Sequence, residues 1–256
     1  MDQEEFQRRR LAFGDAVDVY DRIRPTYPMQ AVAWSLGLPS SPLVVCDLGA
    51  GTGKLTEVLL AAGHEVVAVE PDDAMRRRLV GGLGEHPHLE VRAGTAEAIP
   101  LPDASVDAVV AGQAWHWFDE AVVAPEVARV VRPGGTVAAM WNSRDEAVDW
   151  VARWSALAEE HAHPTGRKAM AAAAGPDFGA AFHEREVATF RHEQVMVPDD
   201  LVALAASRSW TIAVPPPRRE ALLASIRDLV TTHPALAGRP RVAMPYVVEC
   251  IRARRR

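Results

Sequence analysis

The chain contains Val44-Val45-Cys46-Asp47-Leu48-Gly49-Ala50-Gly51-Thr52-Gly53, an apolar run that leads through an acidic residue into alternating glycines. The apolar part predicts a buried parallel strand, and the residues from Lys54 onward predict a helix. Glycines at alternate positions let the backbone turn sharply and leave no side chain to block a ligand that lies close by. The stretch therefore predicts the first strand–turn–helix unit of an α/β sheet with a ligand at the turn.

A second apolar run, Glu65–Glu70, follows at the distance of one strand–helix–strand unit and ends in a carboxylate. A carboxylate in this position can accept hydrogen bonds from both hydroxyls of a ribose. A dinucleotide fingerprint, Gly-x-Gly-x-x-Gly, would require a third glycine at position 54, where this chain has Lys54. The spacing therefore argues against NAD and for another ribose-containing ligand.

Composition and charge restrict the class of protein. The 256 residues are 48% apolar, carry a net charge of −6 and include only two cysteines, which allows neither a disulfide framework nor a cysteine metal site. The negative charge argues against nucleic acid as the main substrate. No secretory signal or membrane-spanning run is visible, so we expect a cytoplasmic protein with no membrane partner. Two histidine pairs, His86 with His88 and His161 with His163, have no nearby set of Asp, Glu or Cys at metal-site spacing, and no metal is predicted.

Apolar runs and turn residues alternate along the first half of the chain. Proline suits the first helical turn and disrupts a helix interior, so one helix is predicted to begin at Pro125. Strands are predicted at 43–48, 65–70, 89–93, 106–112 and 136–141, with the other helices beginning near Gly53 and Asp72. This alternation indicates an α/β fold with a mainly parallel sheet and helices on both of its faces.

The second half departs from the simple alternation. A helix is predicted over 145–163, where Trp150 and Trp154 share one face and are expected in the core. Later helices are predicted over 198–207 and 218–231, and strands over 182–197 and 242–251. No repeat and no linker that would separate a second domain is visible.

Several motifs resemble one family. Asp47-x-Gly49-x-Gly51-x-Gly53 resembles motif I of the class I S-adenosylmethionine-dependent methyltransferases. The segments over 13–28, 94–102, 113–119 and 127–135 resemble signatures of the methyltransferase type 11 subgroup that includes the trans-aconitate methyltransferase-like proteins. Two departures are Thr95, where aspartate is usual, and Trp210, where tyrosine is usual.

The resemblance implies a Rossmann-like fold whose seven-stranded, mostly parallel sheet has an antiparallel last strand. We expect a single methyltransferase domain over 1–256. It would comprise an N-terminal helical cap or lid over 1–42, a cofactor-binding core over 43–143, and a helical insertion with the last strands over 144–256.

The implied activity is transfer of a methyl group from S-adenosyl-L-methionine to a small-molecule acceptor, with O- or carboxyl-methylation favoured. Two alternatives stay open: an enzyme of the same fold that catalyses cyclisation or decarboxylation, and a subunit that binds the cofactor as a sensor. The expected partner is the small-molecule acceptor alone, and the protein is expected to be a monomer or a homodimer.

The same resemblance assigns residues to the cofactor. The glycine turn would contact the methionine part, Glu70 the ribose, and Thr95 and Ala96 the adenine. Arg24 can hold the carboxylate of the cofactor with paired hydrogen bonds. The full set of expected cofactor contacts is Tyr20, Arg24, Gly49, Ala50, Gly51, Thr52, Gly53, Glu70, Pro71, Met75, Thr95, Ala96 and Gln113.

The acceptor is expected beyond the fourth strand, where parallel-sheet enzymes bind their ligands. Trp115, Trp117 and Trp141 are predicted to line its pocket. His116 is the candidate catalytic residue, either as a general base or as a group that orients the acceptor. Because a sulfonium is already an activated leaving group, methyl transfer can also proceed through positioning and water exclusion without a base.

Overall fold

A computed structural model describes residues 23–161, 175–207, 211 and 214–256. The described residues form two compact units. The sheet unit consists of the described parts of Thr26–Ser143, Ala174–His192 and Val247–Arg256, and the helical unit of those of Met1–Pro25, Arg144–Ala173 and Glu193–Tyr246. The expectation of a single domain over 1–256 stays a prediction.

Seven strands form one sheet in the order β3-β2-β1-β4-β5-β7-β6. Their bounds are β1 Val44–Leu48, β2 Glu65–Val69, β3 Leu89–Arg92, β4 Val106–Gly112, β5 Val131–Arg144, β6 Glu186–Met196 and β7 Val242–Arg254. The strand β1 pairs in parallel with β2 on one side and with β4 on the other, with Cys46 opposite both Val67 and Val109. The carboxyl ends of these three strands therefore lie side by side.

The strand β7 runs against its neighbours. At one end of the β5–β7 pair the Gly134 amide donates to Arg255 at 3.1 Å, and at the other the Asp145 amide donates to Pro245 at 2.9 Å. Rising numbers in β5 thus meet falling numbers in β7, which is antiparallel pairing. The predicted fold, a seven-stranded and mostly parallel sheet with an antiparallel last strand, is confirmed.

Seven α-helices and one short 3₁₀ turn, Trp115–Trp117, complete the described structure. The helices are α1 Met29–Ser35, α2 Lys54–Ala61, α3 Asp73–Leu83, α4 Glu120–Val130, α5 Asp149–His161, α6 Pro198–Ala206 and α7 Pro216–Thr232. None of the helices in the described ranges combines the length and apolarity that a membrane crossing requires.

The helical unit has its own apolar core, in which α5, α6 and α7 pack together. Trp150 and Trp154 are both buried there, as their spacing predicts. The Trp154 indole N–H donates to the Leu201 carbonyl at 3.1 Å. A buried indole that keeps a hydrogen-bond partner avoids the cost of desolvating an unpaired donor.

The prediction that a helix begins at Pro125 is wrong. Helix α4 begins at Glu120, and Pro125 lies inside it. The start is set by Asp119, whose side chain accepts from the Ala121 amide at 3.2 Å. Proline has no amide proton, so the Ala121 carbonyl receives no helical hydrogen bond from position 125. The capping aspartate and the buried apolar face of α4 outweigh this local cost.

Replacing Pro125 with alanine is expected to raise the free energy of unfolding by about 1–2 kcal/mol, because alanine restores the missing amide and favours the helix. Thermal unfolding of the purified variant measures the change. Pro198→Ala is the matched control, because Pro198 lies at the first position of α6, where the ring fits and nothing is gained by removing it. A less stable Pro125→Ala variant would contradict this account.

Candidate functional site

Three glycines make the turn between β1 and α2. Their φ angles are 71° at Gly49, 58° at Gly51 and 90° at Gly53, which residues with side chains rarely adopt. A Cβ at Gly49 would lie 2.8 Å from the Cβ of Ala114, and one at Gly53 would lie 2.9 Å from Leu79 Cγ. A Cβ at Gly51 would meet no described atom within 4 Å. Packing therefore requires the outer two glycines, whereas Gly51 borders open space.

The carboxylate of Glu70, directly after β2, holds this turn in place. Its Oε2 accepts from the Gly51 amide at 2.9 Å, and its Oε1 accepts from the Asp72 amide at 2.9 Å. Glu70 is only 8% exposed. A carboxylate oxygen carries two lone pairs, so a carboxylate that holds a turn in this way can also accept ligand hydroxyls.

Asp47 is the most deeply buried acidic residue near the turn, with 1% of its surface exposed. Its Oδ2 accepts from the Thr56 hydroxyl at 2.6 Å, and its Oδ1 has no hydrogen-bond partner among the described residues. Burial, with a smaller effect from the nearby Glu70 charge, raises the pKa of Asp47 to about 7, against the opposing effect of the Thr56 bond. A donor or a cation on a ligand would satisfy this acceptor.

The segment between β2 and α3 is tied to the end of β2. Asp72 caps α3 by accepting from the Met75 amide at 2.9 Å, and the Met75 side chain is buried. The Arg76 guanidinium donates to the Glu70 carbonyl at 2.8 Å and to the Pro71 carbonyl at 2.7 Å. These bonds fix the backbone that carries the Glu70 carboxylate.

The loop over 94–102, which contains Thr95 and the buried Ala96, is held by two charged residues of α4. Arg129 donates to the carbonyls of Leu101 at 2.7 Å and Ile99 at 2.9 Å. Glu126 accepts from the Ile99 amide at 3.0 Å, and its ion pair with Arg129 holds the pKa of Glu126 below its usual range. The loop is thus fixed through its backbone, which leaves the Thr95 hydroxyl available.

Gln113 follows β4 and adopts a φ of 56°, which is uncommon for a residue with a side chain. Its amide donates to the Met140 carbonyl at 2.8 Å, and its side chain donates to the Asn142 carbonyl at 2.7 Å. Asn142 in turn accepts from the His192 ring at 2.8 Å. Backbone strain at the end of β4 is therefore balanced by hydrogen bonds to β5, a pattern common at functional sites.

Residues Trp115–Phe118 form a turn rich in aromatic side chains, here called the aromatic turn. Trp115, its first residue, is 1% exposed. Its indole N–H donates to Glu120 at 2.8 Å, and its ring centroid lies 4.8 Å from that of Phe178. Phe118, at the end of the turn, would lie 3.4 Å from a Cβ at Gly49. Packing accounts for Trp115, so its assignment to the acceptor pocket stays a prediction. The aromatic turn adjoins the glycine turn.

His116 is exposed, unlike the tryptophan before it. Its ring centroid lies 4.9 Å from that of Trp117, and its Nδ1 accepts from the indole N–H of Trp141 at 3.4 Å. Although the residue reaches solvent, desolvation of the imidazole by its surroundings lowers the pKa of His116 to about 4. The imidazole is therefore neutral at physiological pH.

The remaining predicted contacts differ in position. Ala50 and Thr52 lie in the glycine turn. Tyr20 lies outside the described residues, and Arg24 belongs to the helical unit, so both assignments stay predictions. Tyr27, from the same N-terminal motif, belongs to the sheet unit, and its hydroxyl would lie 2.6 Å from a Cβ at Gly112. Within the described ranges, no group of three or more His, Cys, Asp or Glu side chains is placed to hold a metal ion.

Sequence reasoning missed the residues that support the site. Arg76 and Arg129 hold loop backbones, and Asn142 receives the Gln113 side chain. The only local sign of these supporting residues in the sequence was the spacing of Glu126 and Arg129, which are three residues apart and can pair on one helix face. Arg129 donates to loop carbonyls 28 and 30 positions away, Glu126 accepts from a loop amide 27 positions away, and only the fold brings these groups together.

Comparison with known proteins identifies the family. A family model described as "Methyltransferase domain" matches residues 46–139 of this chain. An uncharacterized methyltransferase of Mycobacterium tuberculosis is 43% identical over 243 residues, which cover 95% of each chain. One from Schizosaccharomyces pombe is 33% identical over 84% of this chain and 85% of its own. The chain belongs to the class I S-adenosylmethionine-dependent methyltransferases.

The fold agrees with this assignment. A structure from Anaeromyxobacter dehalogenans, described as a type II methyltransferase, aligns with a TM-score of 0.64 and 26% identity, covering 91% of this chain and 97% of the other. The cofactor of this methyltransferase is S-adenosyl-L-methionine. The open space at Gly51 fits a bound ligand, and the buried Oδ1 of Asp47, which has no partner among the described residues, fits a positively charged group on that ligand. Similarity to trans-aconitate methyltransferase-like proteins remains a resemblance.

Asp47→Asn is expected to stabilise the cofactor-free methyltransferase at pH 8 by about 1–3 kcal/mol, the cost of burying an unsatisfied charged acceptor. The folded-state pKa of Asp47 is about 7, above its ordinary value of 3.8, so the folded protein binds more protons between these values. The contribution of Asp47 to wild-type stability therefore falls as pH rises from 4 to 7, and the advantage of the variant shrinks at pH 5.

Urea unfolding at pH 5 and pH 8 without cofactor measures both differences. Asp228→Asn is the control, because Asp228 lies exposed on α7 and its loss should change stability little at either pH. Equal pH dependence in wild type and Asp47→Asn would contradict a raised pKa at this position.

Proposed function

We propose that this methyltransferase acts on a small-molecule acceptor and methylates an oxygen, either a hydroxyl or a carboxyl group. The proposal rests on the position of the aromatic turn. In this turn Phe118 lies beside Gly49, and His116 is exposed to solvent. An acceptor bound at the aromatic turn would lie next to the glycine turn, where the cofactor is proposed to bind. The net charge of −6 argues against a nucleic-acid substrate.

The cofactor is proposed to bind along the carboxyl ends of β1, β2 and β4. The residues offered for contact are Gly49, Ala50, Gly51, Thr52, Gly53, Glu70, Pro71, Met75, Thr95, Ala96 and Gln113, with Tyr20 and Arg24 as further predicted contacts. Glu70 would accept the ribose hydroxyls, and Thr95 would accept a hydrogen bond from adenine. A threonine oxygen is neutral and has a shorter reach than an aspartate at this position.

We add Asp47 to this set. Its Oδ1, which accepts no hydrogen bond from any described residue, would accept from the ammonium group of the methionine part, which would relieve the cost of burying this acceptor. The same interaction would draw Asp47 into its charged form, because a cation near a carboxylate lowers its pKa. Cofactor binding and ionisation of Asp47 would then be coupled.

The bound cofactor supplies an activated methyl group, so the protein need not create a leaving group. The chain's own contribution is to orient the acceptor and to exclude water from it, which can supply most of the rate. Trp117 and Trp141 are the indole side chains offered for the acceptor pocket, together with the buried Trp115. His116 lies between these two indoles and is offered as the polar group of the pocket.

Gly51→Val is expected to abolish binding of S-adenosylmethionine, because a branched side chain would fill the open space beside the turn. Isothermal calorimetry measures the affinity, and NAD should not bind to the wild type. Gly63→Val is the matched control: its φ is 84°, a Cβ there also meets nothing within 4 Å, and it follows α2, before β2 begins. Both variants carry the backbone strain, but only Gly51→Val should lose the ligand. Equal affinities in both would contradict the proposed site.

A panel of carboxylic acids and phenols, including trans-aconitate, tests the acceptor. Release of S-adenosylhomocysteine from the wild type is the measurement, with the Gly51→Val variant as the blank. Turnover with carboxylic acids or phenols is the expected outcome. Product formed only with amines or nucleic acids, or cofactor consumed without any acceptor, would contradict the proposal.

A further inference from the structure

The indole of Trp141 constrains the chemistry of His116. An indole nitrogen can only donate a hydrogen bond, because its lone pair belongs to the ring. The Trp141 N–H points to Nδ1 of His116 at 3.4 Å. The Nδ1 atom must therefore present a lone pair and cannot itself carry a proton.

A neutral imidazole carries one proton, on one of its two nitrogens. His116 is neutral at physiological pH because desolvation lowers its pKa to about 4. With Nδ1 occupied as an acceptor, the proton is on Nε2. Among the described residues, the hydrogen bonds of His116 do not include an acceptor for this Nε2. The histidine thus has an N–H available at Nε2 and no free lone pair there.

We propose that His116 binds the methyl acceptor as a hydrogen-bond donor through Nε2–H, and that Trp141 is the positioning residue that sets this tautomer. The inference rests on the proposed acceptor site beside the aromatic turn. A general base would need a bare nitrogen facing the acceptor, and the only bare nitrogen of His116 faces Trp141. His116 would therefore hold the acceptor without removing a proton from it.

The proposal restricts what the acceptor can be. A hydrogen bond from Nε2–H requires a lone pair that is not the one that attacks the methyl group, such as that of a second oxygen on the acceptor. The attacking atom must already lack its proton when it binds, or lose that proton to solvent. An acceptor with two oxygens on one group would meet both conditions.

Nitrogen-15 NMR of the histidine-labelled protein tests the tautomer without any acceptor. The His116 signals among the nine histidines are assigned by difference from the His116→Gln spectrum. We expect a protonated Nε2 and a bare Nδ1 at pH 7. Trp141→Phe removes the donor and should allow the proton to populate Nδ1. Trp117→Phe, which changes the other indole beside the ring, should leave the tautomer unaltered.

Amide side chains provide the kinetic test, with the panel acid or phenol that the wild type turns over fastest. The glutamine amide can replace Nε2–H, whereas the asparagine amide reaches only the position of Nδ1. His116→Gln should therefore keep KM within about threefold of wild type, and His116→Asn should raise KM about tenfold, the equivalent of one lost hydrogen bond. In both variants kcat should change little.

Two results would overturn the inference. A bare Nε2 in wild-type protein would do so whatever the acceptor, and so would an equal loss of about 10²–10⁴-fold in kcat for the Gln and Asn variants, which is the effect of removing a base. A wild type with no turnover across the whole panel would instead count against the proposed function. The NMR result separates these two failures.

Discussion

The hydrogen bond from the Gly51 amide to the Glu70 carboxylate is the contact on which the site depends. It joins the turn after β1 to the residue after β2 and does so with a carboxylate that is almost wholly buried. The parallel pairing of β1 with β2 and β4 brings these ends to one edge of the sheet. Arg76 then holds the carbonyl of Glu70, so the carboxylate is fixed through both its side chain and its backbone.

The two buried carboxylates at this edge of the sheet, Glu70 and Asp47, differ in how fully they are hydrogen-bonded. Glu70 uses both oxygens to accept backbone amides, whereas one oxygen of Asp47 has no partner in the part of the chain that the structure describes, and burial raises the pKa of Asp47 to about 7. A fold that buries an unpaired acceptor loses stability for as long as no ligand is present. Binding sites commonly carry such local costs, which the ligand relieves. The strained backbone at Gln113, balanced by bonds to Met140 and Asn142, belongs to the same pattern.

Sequence reasoning succeeded where the signal was local. The apolar run before Gly49 became β1, and the run over 106–112 became β4 with the predicted bounds. Reasoning from Pro125 alone failed because a cap at Asp119 and a buried helix face together outweigh one missing amide. Trp115 illustrates a second limit: an aromatic residue after a strand can equally face a ligand or the core, and here it packs against Phe178.

By itself the sequence determined the alternation of strands and helices, the glycine turn and a ribose-containing ligand, because hydrophobic periodicity, glycine spacing and a carboxylate after the next strand are properties of neighbouring residues. The resemblance of its motifs to one family implied the cofactor and the antiparallel last strand. Only the tertiary structure decided which groups support that turn and which face it. Arg129 reaches carbonyls about 30 positions away. Trp141 meets the ring of His116 across 25 positions and so selects the nitrogen that carries its proton. Such contacts depend on strand order and helix packing, so no local sequence pattern predicts them.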